Sequence, residues 1–126
     1  FGSPLMLGCE LTKLDDATLA LLTNRDVLSM LTPDCKPHQV CLDDEKAIWC
    51  AYNAVTGEHF AAFFNLSDET HTIHCDIETL HVGDEPCAHK DASLTELWSK
   101  EKTSVSGSAI SVTPPAHGCL VFRVEN

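Results

Sequence analysis

The clearest hydrophobic pattern in the chain covers residues 46–66 and predicts a β-hairpin. Two runs rich in aromatic, β-branched and small apolar residues flank a short polar stretch that contains Gly57. A glycine-containing polar loop between such runs is typical of a hairpin, because glycine readily adopts the positive φ that short loops need. Side chains alternate between the faces of a strand. Trp49 and Ala51 therefore oppose Ile48, Cys50 and Tyr52, and Phe60, Ala62 and Phe64 oppose Ala61 and Phe63.

Both faces of this hairpin are apolar, so the sequence predicts that both are covered. Turn signals separate further short strand candidates, with no helix between them, along the rest of the chain. This spacing is typical of an antiparallel β-sandwich. Besides the hairpin, the predicted strands cover residues 39–42, 70–77, 94–98, 104–106, Ala109–Val112 and 119–124.

The first thirty residues have a different pattern, which predicts a short strand followed by one or two helices. Residues 5–7 form the apolar run of that strand. Asp15 is placed to cap a helix, with Leu14 and Leu19 as a hydrophobic staple, and Asn24 can cap a second short turn. A strand followed by a helix is a β/α unit, and one such unit cannot bury its own faces.

Size and charge limit the classes of function. At 126 residues the chain is long enough for one domain with a core and too short for a complete barrel enzyme. Nucleic-acid surfaces need clustered Lys and Arg, whereas this chain has 8 basic residues, a net charge of −11 and a pI near 4.8. No apolar run is long enough to span a membrane. Nucleic acids and membranes are therefore not expected partners.

The seven cysteines do not predict a disulfide framework. Their number is odd, and several lie inside apolar, strand-like runs as small buried hydrophobes, namely Cys41, Cys50, Cys75 and Cys119. Unpaired cysteines are typical of a reducing compartment, so we expect a cytoplasmic location. None of them follows the helix N-terminus or strand-turn-helix pattern that favours a nucleophilic thiolate.

A dense group of potential zinc ligands comprises His71, His74, Cys75, His81, Cys87 and His89. Structural zinc sites usually show paired Cys-x-x-Cys or His-x-x-x-His elements, which this stretch lacks. On a strand, His71 and His74 would point to opposite faces. Surface histidines and a buried cysteine are the favoured interpretation, and a metal-binding β-domain is the alternative. We assign no metal or cofactor site.

Adjacent acidic residues raise the alternative of a two-carboxylate glycosidase site. That site needs carboxyls facing each other across a substrate, one of them in an apolar pocket. The acidic residues here are neighbours in sequence and fit solvated turns or a helix cap, so no catalytic residue is assigned. The groups are Asp15 with Asp16, Asp43 with Asp44 and Glu45, and Asp68 with Glu69.

Six aromatic residues could form a platform for stacking sugar rings, which makes a carbohydrate-binding module an alternative function. Their position inside apolar runs favours core packing instead. They are Trp49, Tyr52, Phe60, Phe63, Phe64 and Trp98. Asn65, Leu66 and Ser67 match the N-glycosylation pattern, but Asn65 is better explained as the end of a strand.

Several segments, in their order along the chain, resemble the α-galactosidase (melibiase) family, glycoside hydrolase family 27. Residues 3–8, Leu11 and residues 16–19 and 22–24 are similar to the passage that closes its catalytic (β/α)8 barrel. Three later segments are similar to landmarks of its C-terminal antiparallel β-domain: Ala62-Phe63-Phe64-Asn65-Leu66-Ser67-Asp68, Leu97-Trp98-Ser99-Lys100, and Val112-Thr113-Pro114-Pro115-Ala116-His117-Gly118 leading into residues 120–123.

The resemblance implies that residues 1–32 are the last β/α unit of the barrel and that residues 33–126 are the C-terminal β-sandwich. It also implies a retaining parent enzyme that hydrolyses α-galactosides or related glycosides, with its two catalytic aspartates on barrel strands that have no counterpart here. The chain alone is then expected to be inactive. Its partners would be the barrel of the same parent chain and, through it, a carbohydrate substrate. An uncovered hairpin face would otherwise favour a homodimer or packing of residues 5–30.

Overall fold

The structure, a computed structural model, describes residues 15–105 and 107–126, and within them the chain is mainly β, as predicted. Two short helices, α1 (Asp16–Leu22) and α2 (Arg25–Leu28), precede the strands, and a 3-10 turn (Ser29–Leu31) follows α2. The strands are β1 (Cys35–Leu42), β2 (Lys46–Asn53), β3 (His59–Asn65), β4 (Ile73–Asp76), β5 (His81–Val82), β6 (Glu85–Pro86), β7 (Ser93–Glu96), β8 (Lys102–Ser104), β9 (Ala109–Val112) and β10 (Cys119–Glu125).

The predicted hairpin is confirmed as β2 and β3, at the centre of a six-stranded sheet. The strand order is β1-β2-β3-β10-β7-β8, and neighbouring strands are antiparallel. The register pairs Lys46 with Asn65 and Tyr52 with His59. Gly57 in the connecting loop has a φ of +74°, a value that non-glycine residues rarely adopt.

A second, two-stranded sheet of β4 and β9 covers the inner face of the large sheet. The main core lies between the two sheets. The hairpin contributes four residues that alternate as predicted, Ile48, Cys50, Ala61 and Phe63. The opposing residues Ala51, Phe60 and Ala62 belong to a separate cluster on the outer face, which is also buried. The prediction that both faces are covered is therefore confirmed.

The edge strand β1 is longer than predicted, at Cys35–Leu42 instead of 39–42. Pro37 breaks the apolar pattern there, but proline is compatible with an edge strand, where an amide on the open side needs no partner. The pairing of β1 with β2 shifts between Gln39 and Cys41, which marks a β-bulge. Beside this strand, the His81 ring of β5 stacks on the His38 ring, with centroids 5.7 Å apart.

Other strand limits differ from the prediction because local turns interrupt the apolar runs. The strand predicted at 70–77 is shorter, at Ile73–Asp76, since a 3-10 turn takes over at Ile77–Thr79. The strand predicted at 94–98 is Ser93–Glu96, and the one predicted at 104–106 is Lys102–Ser104. The small β5–β6 hairpin was not predicted, since each of its strands has two residues. Residues 5–7, Leu14 and Ser106 lie outside the described residues.

The two helix caps are confirmed. Asp15 Oδ1 accepts a hydrogen bond from the Thr18 amide at 2.7 Å, and Asn24 Oδ1 accepts from the Asp26 and Val27 amides at 3.1 and 3.2 Å. Neither helix has a fully buried residue, but Val27 of α2 packs against the sheet, whereas α1 exposes 56% of Leu21. None of the helices within the described residues is long and apolar enough to cross a membrane.

Candidate functional site

The outer face of the large sheet, with residues 24–31 lying on it, is the part of the described chain best suited to contact a partner. The Asn24 side chain donates from Nδ2 to the Leu97 carbonyl at 2.8 Å while its Oδ1 caps α2. Val27 and Met30 pack against the buried outer cluster. Residues 24–31 are therefore fixed to the sandwich by one polar contact and two apolar side chains.

A group of ion pairs, which we call the Asp26 clamp, reinforces this attachment. Asp26 Oδ2 pairs with Lys100 Nζ, and Asp26 Oδ1 accepts from Arg123 Nη2 at 2.9 Å. Arg123 Nε lies 3.2 Å from Glu58 Oε1. The hydrogen bonds from Lys100 and Arg123 hold the pKa of Asp26 below its usual value. The clamp thus links α2 to the β7–β8 turn and to β10.

An apolar groove of about 210 Å3 remains between residues 27–31 and the sheet. We call it the outer groove. Leu31 and Trp98 on its rim are each 38% exposed, which is high for such large apolar side chains. Its lining includes Val27, Met30, Leu31, Phe64, Trp98 and Cys119.

Two of the landmark segments meet at Asn65, which is 1% exposed and ends β3 as predicted. Its Nδ2 donates to the carbonyls of Glu69 at 2.8 Å and Pro114 at 3.2 Å. Its Oδ1 accepts from the Ser67 amide at 3.0 Å and the Ser67 hydroxyl at 2.8 Å. We call this arrangement the Asn65 junction. A glycan on this buried amide is incompatible with the folded state, so the N-glycosylation pattern is accidental.

The segment after Pro114 is fixed to the same junction. The amide of Asn65 donates to the Gly118 carbonyl at 2.9 Å, and His117 Nε2 lies 2.8 Å from Asp68 Oδ1. A Cβ on Gly118 would lie 2.5 Å from Cγ of the Pro115 ring, so only glycine fits there. These landmark residues build a tight turn before β10 rather than a reactive centre.

The third landmark segment is organised by Glu96, a carboxylate that is only 5% exposed. Its Oε2 accepts from the amides of Trp98 at 2.9 Å and Ser99 at 2.6 Å, and its Oε1 accepts from the Val121 amide at 3.4 Å. A buried carboxylate that accepts several amide protons is well satisfied. Glu96 therefore positions Trp98 at the rim of the outer groove.

The histidines and cysteines proposed as possible zinc ligands have separate partners. His71 Nδ1 lies 3.0 Å from Ser67 Oγ, His74 Nδ1 lies 2.8 Å from Ser111 Oγ, and His81 Nδ1 lies 3.0 Å from the Gly83 carbonyl. Cys75 and Cys87 are buried in the main core, and His89 is exposed. Within residues 15–105 and 107–126, no three His, Cys, Asp or Glu side chains are grouped so that they could hold a metal ion.

The acidic groups lie in turns and at a cap. Asp43 Oδ1 accepts from the Glu45 and Lys46 amides at 2.8 and 2.9 Å, and these bonds lower the pKa of Asp43. Glu45, Asp68 and Glu69 border a shallow depression, but all three are exposed, and a glycosidase acid needs an apolar pocket. This arrangement offers no means of protonating a glycosidic oxygen.

The aromatic residues divide between core and surface. Phe60 and Phe63 are fully buried, as core packing predicts. Trp49, Tyr52 and Phe64 are half-buried, and Tyr52 stacks on His59 with ring centroids 4.7 Å apart. Trp98 is the most exposed of the six and borders the outer groove. A sugar platform within the described residues would therefore have to use Trp98.

Of the four cysteines predicted to be buried, Cys50 and Cys75 are buried, whereas Cys41 and Cys119 are only half-buried. The prediction was wrong for these two because they lie near strand ends, where packing is incomplete. Burial raises the pKa values of Cys75 and Cys119, which keeps the thiols protonated. The Asp26 clamp and the buried Glu96 were not predicted, since their partners lie far away in sequence.

The sequence from residue 43 to residue 124 matches the model of the α-galactosidase C-terminal β-sandwich domain. No curated protein matches the sequence. Among solved structures, the chain is similar to a GH27 β-L-arabinopyranosidase from Geobacillus stearothermophilus. The two are 26% identical over 98% of this chain, with a TM-score of 0.84.

Two solved structures with lower identity share the fold. They are α-galactosidase I from Mortierella vinacea, at 18% identity with a TM-score of 0.79, and the α-galactosidase from Saccharomyces cerevisiae with raffinose, at 13% identity with a TM-score of 0.75. Each match covers 98% of this chain. The chain spans 27% of the Geobacillus protein, 32% of the Mortierella protein and 40% of the Saccharomyces protein.

Proposed function

We propose, from the premise that this chain belongs to the family of α-galactosidase C-terminal β-sandwich domains, that it is a non-catalytic structural module of a larger glycoside hydrolase. Its partner would be the catalytic (β/α)8 barrel of the same parent chain. The parent would hydrolyse terminal α-galactosides or related glycosides by a retaining mechanism. The module would contribute to folding and to the position of the barrel, not to bond cleavage.

The observation that carries this proposal is the exposure of large apolar side chains on α1 and at the rim of the outer groove. Leu19 and Leu21 of α1 are 47% and 56% exposed, and Leu31 and Trp98 on the groove rim are each 38% exposed. A seven-residue helix is not stable without tertiary contacts, and α1 has no buried residue in this chain. A barrel packed against this surface would supply the contacts that α1 lacks.

Residues 24–31 support the same interpretation. The predicted domain boundary between residues 32 and 33 assigns them to the barrel, yet they are attached to the sandwich through Asn24, the Asp26 clamp, Val27 and Met30. A segment that continues from one domain and packs on the next would fix their relative orientation. Residues 24–31 would also enlarge the apolar interface between barrel and sandwich, and a large apolar interface restricts relative domain motion.

The lack of catalytic function in the module is supported by the position of its carboxylates. Asp15 and Asp43 accept amide protons within their own turns, and Glu96 is occupied by three backbone amides. None of these groups is available as a nucleophile or acid. The purified chain is therefore expected to give no turnover of a chromogenic α-galactoside, and turnover that survives removal of host enzymes would refute the proposal.

A sharper experiment uses the longer protein that carries this domain. Trp98→Glu should lower the melting temperature and kcat together while KM changes little, because the groove would support the barrel without touching substrate. Val55→Glu is the matched control, since Val55 is 74% exposed in the β2–β3 loop. Equal effects of the two substitutions would contradict a structural contact at the groove.

A carbohydrate-binding module remains the second candidate because Trp98 is partly exposed beside the groove. Aromatic faces of this kind can stack on sugar rings. Titration of the chain with galactose-containing oligosaccharides, followed by tryptophan fluorescence, separates the two functions. A saturable change that is lost in Trp98→Ala would favour sugar binding, and a flat response would favour the structural module.

A further inference from the structure

The main core contains two cysteines that are both fully buried and that neither the fold nor the proposed function requires as thiols. Cys50 lies in the middle of β2, and Cys87 directly follows β6. Both are 0% exposed and belong to the same buried cluster. They are 37 positions apart in sequence, so the fold alone brings them together.

The hydrogen bonds of the two cysteines bring them to the same part of the main core. Cys50 Sγ donates to the His81 carbonyl at 3.1 Å, and the neighbouring Leu80 carbonyl accepts from the Cys87 amide at 2.7 Å. Cys87 Sγ donates to the Phe60 carbonyl at 3.3 Å. Phe60 directly precedes Ala61, the residue opposite Cys50 in the sheet. Both cysteines therefore contact the same two segments, residues 60–61 and residues 80–81.

Proximity to Cys50, together with burial, raises the pKa of the Cys87 thiol. The next cysteine in this cluster, Cys75, has its own partner, since its Sγ lies 3.3 Å from Thr79 Oγ1. Cys50 and Cys87, in contrast, are both bound to the segments at residues 60–61 and 80–81. Because both thiols are fully buried, a peroxide can reach them only during a transient local opening of the structure.

We propose that Cys50 and Cys87 are a modification site that closes to a disulfide when the protein meets a peroxide. One sulfur, as thiolate, attacks the peroxide; an S–O bond forms, the O–O bond breaks, and the oxygen that departs takes up a proton and leaves as water. The second sulfur then attacks the resulting sulfenic acid, the S–S bond forms, and the S–O bond breaks with release of a second water. Two thiols lose two electrons and two protons in total, and one hydrogen peroxide becomes two waters.

The disulfide would join β2 to the segment that follows the β5–β6 hairpin and would close a loop over residues 50–87. Crosslinks that close long loops stabilise proteins by restricting the unfolded chain. The oxidised protein should therefore resist unfolding better than the reduced one. This inference does not depend on the proposed function, because it concerns the sandwich core alone.

The test treats the folded chain with hydrogen peroxide, blocks the remaining thiols and cleaves after glutamate, since no Lys or Arg lies between residues 47 and 89. We expect two of the seven thiols to disappear, a peptide pair that links Cys50 to Cys87, and a melting temperature raised by about 10 °C that dithiothreitol reverses. Cys119→Ser is the matched control and should leave this link unchanged. Seven remaining thiols, a link between other cysteines, or oxygen addition without a link would each overturn the proposal.

Discussion

Replacement of Asn65 by alanine should destabilise the sandwich by about 2–4 kcal/mol, because the amide makes four hydrogen bonds, three to nearby Ser67 and Glu69 and one to the distant Pro114 carbonyl. Neutral hydrogen bonds contribute about 1 kcal/mol each, and a buried group left without a partner costs about 1–3 kcal/mol. The buried carbonyl of Pro114 cannot find water after the substitution, whereas the exposed Glu69 can be rehydrated. The loss should therefore exceed that of an ordinary polar substitution.

Asn53→Ala provides a matched control. Asn53 is also buried, at 5% exposure, but its side chain accepts only from the Val55 and Thr56 amides of its own exposed loop. Those amides can bind water once the side chain is removed, so the expected cost is about 1 kcal/mol. The difference between the two variants measures how much free energy of unfolding comes from a side chain that bonds to a distant segment.

The free energy of unfolding can be measured by urea titration, with the fluorescence of Trp49 and Trp98 as the signal. The reasoning predicts that Asn65→Ala lowers the midpoint distinctly more than Asn53→Ala does. If the two variants unfold at the same urea concentration, or if Asn65→Ala costs less than about 1 kcal/mol, the Asn65 junction does not hold the β3 end to the turn before β10.

Three further perturbations have defined outcomes. Phe60→Ala removes a fully buried ring from the outer cluster and should cost about 3–5 kcal/mol in calorimetry; a loss below about 1 kcal/mol would mean that the outer face is not a packed core. Gly57→Ala should cost about 1 kcal/mol, since its φ is +74° and a Cβ there meets no atom within 4 Å; an unchanged urea midpoint would contradict this. Lys100 and Arg123 lower the folded-state pKa of Asp26. The ion pairs therefore stabilise the fold fully above the unfolded-state pKa of about 4, and this stabilisation is lost as the pH falls from that value through the lower folded-state pKa. Asp26→Asn should therefore be less stable than the wild type by about 0.5–1 kcal/mol at pH 7, with a difference that shrinks toward pH 2, and a difference independent of pH would refute the clamp.

The local parts of the fold could be predicted from the sequence because short-range rules determine them. Asp15 and Asn24 accept amide protons within three residues, and Gly57 supplies the backbone angle of its own loop. The alternation in β2 and β3 likewise assigned Ile48 and Ala51 to opposite faces, and the two core clusters agree. Each of these features is determined by residues that lie close together in the sequence.

Contacts between distant segments could not be predicted in the same way. The partners of Asp26 are Lys100 and Arg123, and nothing in the sequence around Asp26 indicates them. The buried Glu96 resembles any acidic residue at the end of a strand until the turn folds back and presents its amides. The outer groove arises from the packing of residues 27–31 across several strands, so its existence follows from tertiary structure alone.

The edge strand β1 has a consequence for the behaviour of the protein at high concentration. An open edge of eight residues could recruit the edge strand of another molecule and start aggregation. Pro37 removes one of the amide donors along β1, and the bulge between Gln39 and Cys41 interrupts the regular spacing of the others. The strand carries Lys36 as well, which adds charge to that edge. Pro37, which breaks the apolar pattern of β1 in the sequence, thus helps to protect the folded protein from pairing with the sheet of another molecule.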